Sequence, residues 1–142
     1  MASGGGGGSD ASPEDQTKPK VEVPSGPPPK ALQVRDITEG DGTAAQPGDI
    51  LTMQYVGVDY STGKEFGSSW ESGQPLTAQL AVGQVIPGWD QGLQGMKVGG
   101  RRELIVPPNL AYGKQGKPPD IKPNATLVFV VDLLDVQPPP SQ

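Results

Sequence analysis

The side chains that could make a site in this chain are aromatic. Tyr55, Phe66, Trp89, Tyr112 and Phe129 fall on segments that one short helix, laid on a sheet, would gather into a single concavity. Only Tyr60 and Trp70 are left outside it. Leu76, from the segment after Phe66, and Val85 and Ile86, on the approach to the helix, supply apolar walls, and Ile121 is placed beside them by the long loop that also carries Tyr112. A strand Tyr or Phe that faces a helix is core by default, and Phe129 can be core and pocket floor at once. Tyr112 differs: it stands in a loop after Pro107-Pro108, among Gly and Lys, where packing alone explains it less well.

Other chemistry is excluded by composition. The 142 residues contain neither Cys nor His, which removes disulfides, thiol nucleophiles, serine–histidine triads and ordinary zinc sites together. No metal or cofactor is expected. Asp132 and Asp135 are not spaced as a carboxylate pair, Arg101 and Arg102 read as a solvated or salt-bridged surface, and Asn124-Ala125-Thr126 is a glycosylation sequon by pattern only. With a net charge of −5 and no long basic run, nucleic acid and anionic membranes are poor partners. No apolar stretch approaches a membrane span. A monomer is expected, in the cytoplasm or, alternatively, exported after removal of a leader that this chain does not carry.

Position depends on the stretch Val82–Gly100. Pro87 suits a first helical turn, Asp90 suits the positive end of its dipole, and Trp89, Leu93 and Met96 share one face at i, i+4 and i+7. Gly92 and Gly95 each cost about 1 kcal/mol in a helix interior, so the helix must be held by what packs on Trp89. Around it lie period-2 segments: a weak one at Leu32–Thr38, a strong one at Asp49–Tyr60 with Leu51, Met53 and Tyr55 on one face, then Glu65–Trp70, Leu76–Val82, Arg101–Val106 and Thr126–Val136. Asn109–Lys122 reads as loop. The expected fold is α+β: a mainly antiparallel, half-open sheet of five to six strands wrapped around one short helix. Residues 1–30, with six Pro and six Gly, read as disordered or extended, with Val21 and Val23 able to lie along an edge. The domain spans 31–137, and 138–142 is a Pro-rich tail.

A resemblance rests on six short motifs in order. These are Tyr55-Val56-Gly57, Gly63-Lys64-Glu65-Phe66, Gly83-Gln84-Val85-Ile86-Pro87-Gly88-Trp89, Gly95-Met96-Lys97-Val98-Gly99, Leu110-Ala111-Tyr112-Gly113 and Ala125-Thr126-Leu127-Val128-Phe129. Together they resemble the FKBP-type peptidyl-prolyl cis–trans isomerases, the macrolide-binding immunophilins, in their small stand-alone bacterial and especially actinobacterial form. The resemblance covers Leu32 to Val136. It implies an isomerase that assists protein folding by rotating X–Pro bonds, with proline-containing polypeptides as substrates and macrolides as inhibitors. It makes Tyr55, Phe66, Trp89, Tyr112 and Phe129 the catalytic pocket, and Val85, Ile86, Leu76 and Ile121 its binding surround. Trp89 would be the floor, and the Ile86 N–H and the Tyr112 hydroxyl would donate to bound carbonyls.

The chain departs from the family pattern at four places. Gly67 replaces an Asp that orients the strand tyrosine, Ser72 an Arg that pairs with that Asp, and Ala78 an aromatic wall. Lys117-Pro118-Pro119-Asp120 stands where many members have glycines or an apolar residue, and no long insertion between Tyr112 and Ile121 suggests a chaperone flap. These changes bear on rate, substrate preference and inhibitor affinity. A module that docks proline motifs with little turnover, or a purely structural domain, are the competing readings.

Overall fold

The computed structural model describes residues 18–139. Its strands are β1 (Gln33–Thr38), β2 (Ile50–Asp59), β3 (Glu65–Ser68), β4 (Leu76–Gln79), β5 (Arg101–Val106) and β6 (Leu127–Gln137), with short helices α1 (Ser69–Ser72) and α2 (Pro87–Gly92). They form one antiparallel six-stranded sheet in the order β1-β5-β6-β2-β3, and β4 pairs β2 on the same side as β3. The spine is β2 against β6, in register from Ile50↔Gln137 to Asp59↔Leu127 with one shift between Thr52 and Met53. Period-2 alternation sets the faces: Leu51, Met53, Leu104, Val106, Leu127, Phe129, Val131 and Leu133 turn to one side and are buried there with Trp89, Leu93 and Met96. That is the face α2 covers.

Close approach is what the helix glycines provide. A Cβ on Gly88 would overlap Val106 Cγ1, and one on Gly92 would come within 2.8 Å of Leu104 Cδ2. The lost helix propensity is thus exchanged for direct contact between the α2 backbone and β5. Gly95 carries no such cost, because the helix ends at Gly92 and Gly95 lies in a turn at φ +81°, donating its N–H to Ala45 O at 2.8 Å. The carbonyls at the helix exit, Gly92 O and Gln94 O, accept from Arg102 Nη1, a charged substitute for the bonds a helix end lacks.

Three expectations are corrected. There is a second helix: Ser68 caps it by accepting the Trp70 N–H, and Gly73 closes it in the left-handed region. With four residues and no apolar period, it leaves no signal in the sequence. The segment expected to run as strand to Val82 stops at Gln79, since Ala81 and Gly83 both take positive φ, leaving Val82 51% exposed. Val21 and Val23 lie not along an edge but on the opposite face of the sheet, packed on a cluster of Val56, Val58, Tyr60, Ile105 and Val128. The Tyr60 hydroxyl fixes this extended segment by donating to Gly26 O and Pro27 O. Residues 1–17 and 140–142, to which the disorder and tail readings also extend, lie outside the described residues.

Candidate functional site: an aromatic cleft between sheet and helix

Trp89 enters the cleft because of what precedes it. Ile86 is extended at φ −60°, ψ 150°, as a residue before proline must be, and Pro87 opens α2 without needing a hydrogen-bond partner. The indole that follows is 4% exposed and meets two rings edge-on: Tyr55 at 5.4 Å and 79°, Phe129 at 5.2 Å and 85°. Phe66 completes the set, perpendicular to Phe129 at 5.6 Å. Such edge-to-face pairs add about 0.5–1.5 kcal/mol beyond area burial and hold each ring in one orientation. Gly57, itself paired with Gly67 of β3, makes the Phe66–Phe129 contact possible. Its absent Cβ would sit 2.5 Å from Phe66 Cζ and 2.9 Å from Phe129 Cε1.

The cleft has a volume of about 420 Å³ and is lined by Tyr55, Phe66, Leu76, Gly83, Gln84, Val85, Ile86, Trp89, Tyr112 and Phe129. Eight of the nine residues singled out from the sequence therefore come together on its wall. The ninth, Ile121, does not: it is 4% exposed and buried in the same core cluster as Trp89 and Phe129. Its backbone bonds to Lys117 in both directions and so braces the loop beyond Tyr112. Ala78 is likewise core, opposite Leu51 in the β2–β4 pairing. Gly83 and Gln84 were not singled out, although the motif that carries Trp89 contains them. Their residue types gave no chemical signal, and they reach the wall through the geometry of their loop.

Asp90 sets that loop. Its carboxylate accepts the Ala81 N–H at 2.8 Å and the Gly83 N–H at 3.1 Å, so the residue read as a helix-dipole partner is also the clamp for the rim. Gln84 Oε1 accepts the Gln79 N–H at 3.0 Å on the other side. The Arg101 and Arg102 surface is salt-bridged, and deeply so in one case: Arg101 forms a two-point pair with Asp132, at 2.6 and 2.8 Å, and Asp132 is 1% exposed.

Few polar groups face the cleft, and three of them are unengaged. Among the described residues, neither the Ile86 N–H nor the Tyr55 and Tyr112 hydroxyls have a hydrogen-bond partner. Tyr112 is held from behind instead, with its carbonyl accepting from Gly116 N at 3.1 Å and Lys117 Nζ 5.8 Å from its ring centroid. Burial, and secondarily the neighbouring Tyr112, push the Tyr55 phenol above its ordinary pKa. No acid–base pair is assembled here. The arrangement can take up an apolar ring and hydrogen-bond the carbonyls flanking it.

A half-open antiparallel sheet that closes an aromatic cleft with one short helix defines a class of protein: α+β domains built around a small apolar pocket. Comparison with known proteins agrees. The family model for FKBP-type peptidyl-prolyl cis-trans isomerase matches residues 41–134. An FK506-binding protein of Streptomyces anulatus is 58% identical over 120 residues, covering 84% of this chain and 97% of that one. A probable FK506-binding protein of Corynebacterium glutamicum is 48% identical over 117 residues, covering 82% and 97%. Among solved structures, AtFKBP13 matches with a TM-score of 0.68 at 38% identity, over 73% of this chain and 91% of its own. FkpA from Escherichia coli matches with a TM-score of 0.71 at 41% identity, over 87% of this chain and 54% of its own. The chain belongs to the FKBP-type peptidyl-prolyl cis–trans isomerase family.

Proposed function

We propose that X–Pro rotation takes place in the aromatic cleft, with the proline ring on Trp89 between Tyr55, Phe66 and Phe129. The observation that carries this reading is the orthogonal ring array around a largely apolar cavity in which, among the described residues, the Tyr55 and Tyr112 hydroxyls and the Ile86 N–H are unengaged donors. Rotation must break amide resonance over a barrier of about 18–20 kcal/mol, and unaided it takes tens to hundreds of seconds. It needs no acid, base or nucleophile. The twisted amide has lost resonance, so its oxygen carries less charge and depends less on water. A dry aromatic wall then favours the twisted state over the planar one, which is the differential binding that catalysis requires. The Ile86 N–H and the Tyr112 hydroxyl hold the carbonyls on either side. The pyramidal proline nitrogen accepts a hydrogen bond from the peptide's own next N–H, a turn geometry that the cleft selects.

The same cleft supports FK506 binding, the property in the relatives' names, and the protein acts as a monomer in this reading. Among the described residues the large hydrophobics left exposed are Val34 and Ile37, on β1, and Val82, few side chains for a stable interface, which takes about 800 Å² from each partner. A protease-coupled or NMR-exchange assay on an X–Pro peptide tests the reading. Acceleration by the protein that Trp89→Leu abolishes supports it, and rates equal to the blank at micromolar protein overturn it. The alternative, docking with weak turnover, is favoured by one observation: residue 67, which faces the Tyr55 hydroxyl, is glycine, and among the described residues no carboxylate hydrogen-bonds that hydroxyl. It predicts tight peptide binding with blank rates in the same assay.

A further inference from the structure

Gly67 leaves the wall beside Tyr55 bare. A Cβ there would lie 3.5 Å from Tyr55 Oη, so position 67 faces the phenol at contact distance and presents no side chain to it. Beyond Tyr55 lies a second recess, of about 310 Å³, lined by Tyr55, Ser68, Ser69, Ser72, Gln74, Pro75 and Leu76. Tyr55 and Leu76 belong to both recesses, so a peptide whose proline occupies the first has its neighbouring side chain within reach of the second.

The polar groups there divide into engaged and free. Ser69 Oγ accepts the Tyr55 N–H at 2.7 Å and donates to Gln54 Oε1. Ser72 Oγ donates to Ser69 O at 2.9 Å and accepts the Gln74 N–H at 3.4 Å. Ser68 Oγ accepts the Trp70 N–H at 3.0 Å, which leaves its own proton to give. The Gln74 side-chain amide and Tyr55 Oη have no partner among the described residues. Glu71, the acidic side chain of α1, is not on the lining and is paired with Lys18 at 2.7 Å. The free groups are therefore chiefly donors, and no lining residue is charged.

We propose that this recess is a second specificity subsite, taking a side-chain carboxamide oxygen, as in glutamine, on the residue next to the proline. Tyr55 Oη and the Gln74 amide N–H donate to the two lone pairs of that oxygen, and the Gln74 carbonyl accepts from the amide nitrogen. A site built to hydrogen-bond a side chain discriminates strongly against an apolar isostere, because its donors are then left unpaired. The inference rests on the isomerase reading of the main cleft.

The test compares Gln with Met, which is of similar length and apolar, in two series of X–Pro peptides, varied before and after the proline. In one series kcat/KM for the Gln peptide is expected to exceed that for Met at least fivefold. Gly67→Asp, which places a carboxylate on Tyr55 Oη, and Gln74→Ala, in an exposed loop where folding is not at stake, are each expected to bring that ratio to about one. A ratio near one for the unaltered protein in both series overturns the subsite, as does a ratio that neither variant changes. Blank rates with every peptide overturn the isomerase reading instead. The subsite is then judged on the Gln-to-Met ratio of dissociation constants for the same peptides, with the same fivefold criterion.

Discussion

Tyr112 and Trp89 contribute to the cleft in ways that single substitutions separate. The Tyr112 hydroxyl has no partner within the described residues, so Tyr112→Phe leaves stability within about 0.5 kcal/mol. If the hydroxyl donates to a bound carbonyl, the same change weakens peptide affinity by about 0.5–1.5 kcal/mol, or about two- to tenfold. Calorimetric titration with unchanged affinity would remove that role. Trp89 is 4% exposed in the middle of the core, and Trp89→Leu is expected to cost about 2–4 kcal/mol, read from a urea melt, besides ending turnover. Tyr55 gives the pH prediction. Its phenol is raised above the ordinary value of about 10 by burial. As pH climbs through 10 the unfolded chain releases a proton that the folded chain retains, so stability falls with pH in that window. With no histidine in the chain, isomerase activity should be flat from pH 6 to 9, and Tyr55→Phe should lessen the stability loss above pH 10. These residues were legible in the sequence because few others could do the work. Ile121 was misplaced because a loop residue's depth depends on which neighbour braces the loop.

The elements were legible where apolar period and length agree, as in β2, β5 and β6, and obscure where hydrogen bonds alone decide. Helix α1 consists of a serine cap and a closing glycine around Trp70, with nothing periodic to read. The end of β4 is set by two positive-φ residues near Asp90, a contact across nine residues that no local pattern encodes. Two substitutions test these accounts. Asp90→Ala removes the acceptor of two loop N–H groups, with an expected loss of about 1–3 kcal/mol. It should also raise KM more than it lowers kcat, since the rim carrying Val85 and Ile86 is what loosens. Equal kinetics for the variant would show that the rim holds itself. Gly88→Ala should destabilise by about 1–3 kcal/mol through overlap with Val106, although helix propensity alone predicts a gain of about 1 kcal/mol. A higher melting temperature for this variant would contradict the close packing of α2 on β5.

Across the whole molecule the sheet is covered on both faces, and only one cover belongs to the site. Helix α2 and the rim loop close the cleft face, whereas the extended segment through Val21 and Val23 covers part of the other. The sequence showed two valines in a Pro-rich lead-in but not the face they seek. That face is defined by Val56, Val58, Ile105 and Val128, brought together by pairing across β5, β6 and β2. Lys18 adds ion pairs to Glu65 and Glu71, at 2.8 and 2.7 Å, on the strand and helix that flank Phe66. Both valines are half-buried, so replacing them together with serine is expected to cost about 1–2 kcal/mol by lost apolar burial. Phe66 itself is held by its edge-on contact with Phe129 and by the space over Gly57, not by the segment behind it. The double variant should therefore melt earlier yet keep its kcat/KM on an X–Pro peptide at 25 °C. A parallel fall in kcat/KM, with the protein still folded by circular dichroism, would mean that the rear segment also sets the geometry of the cleft.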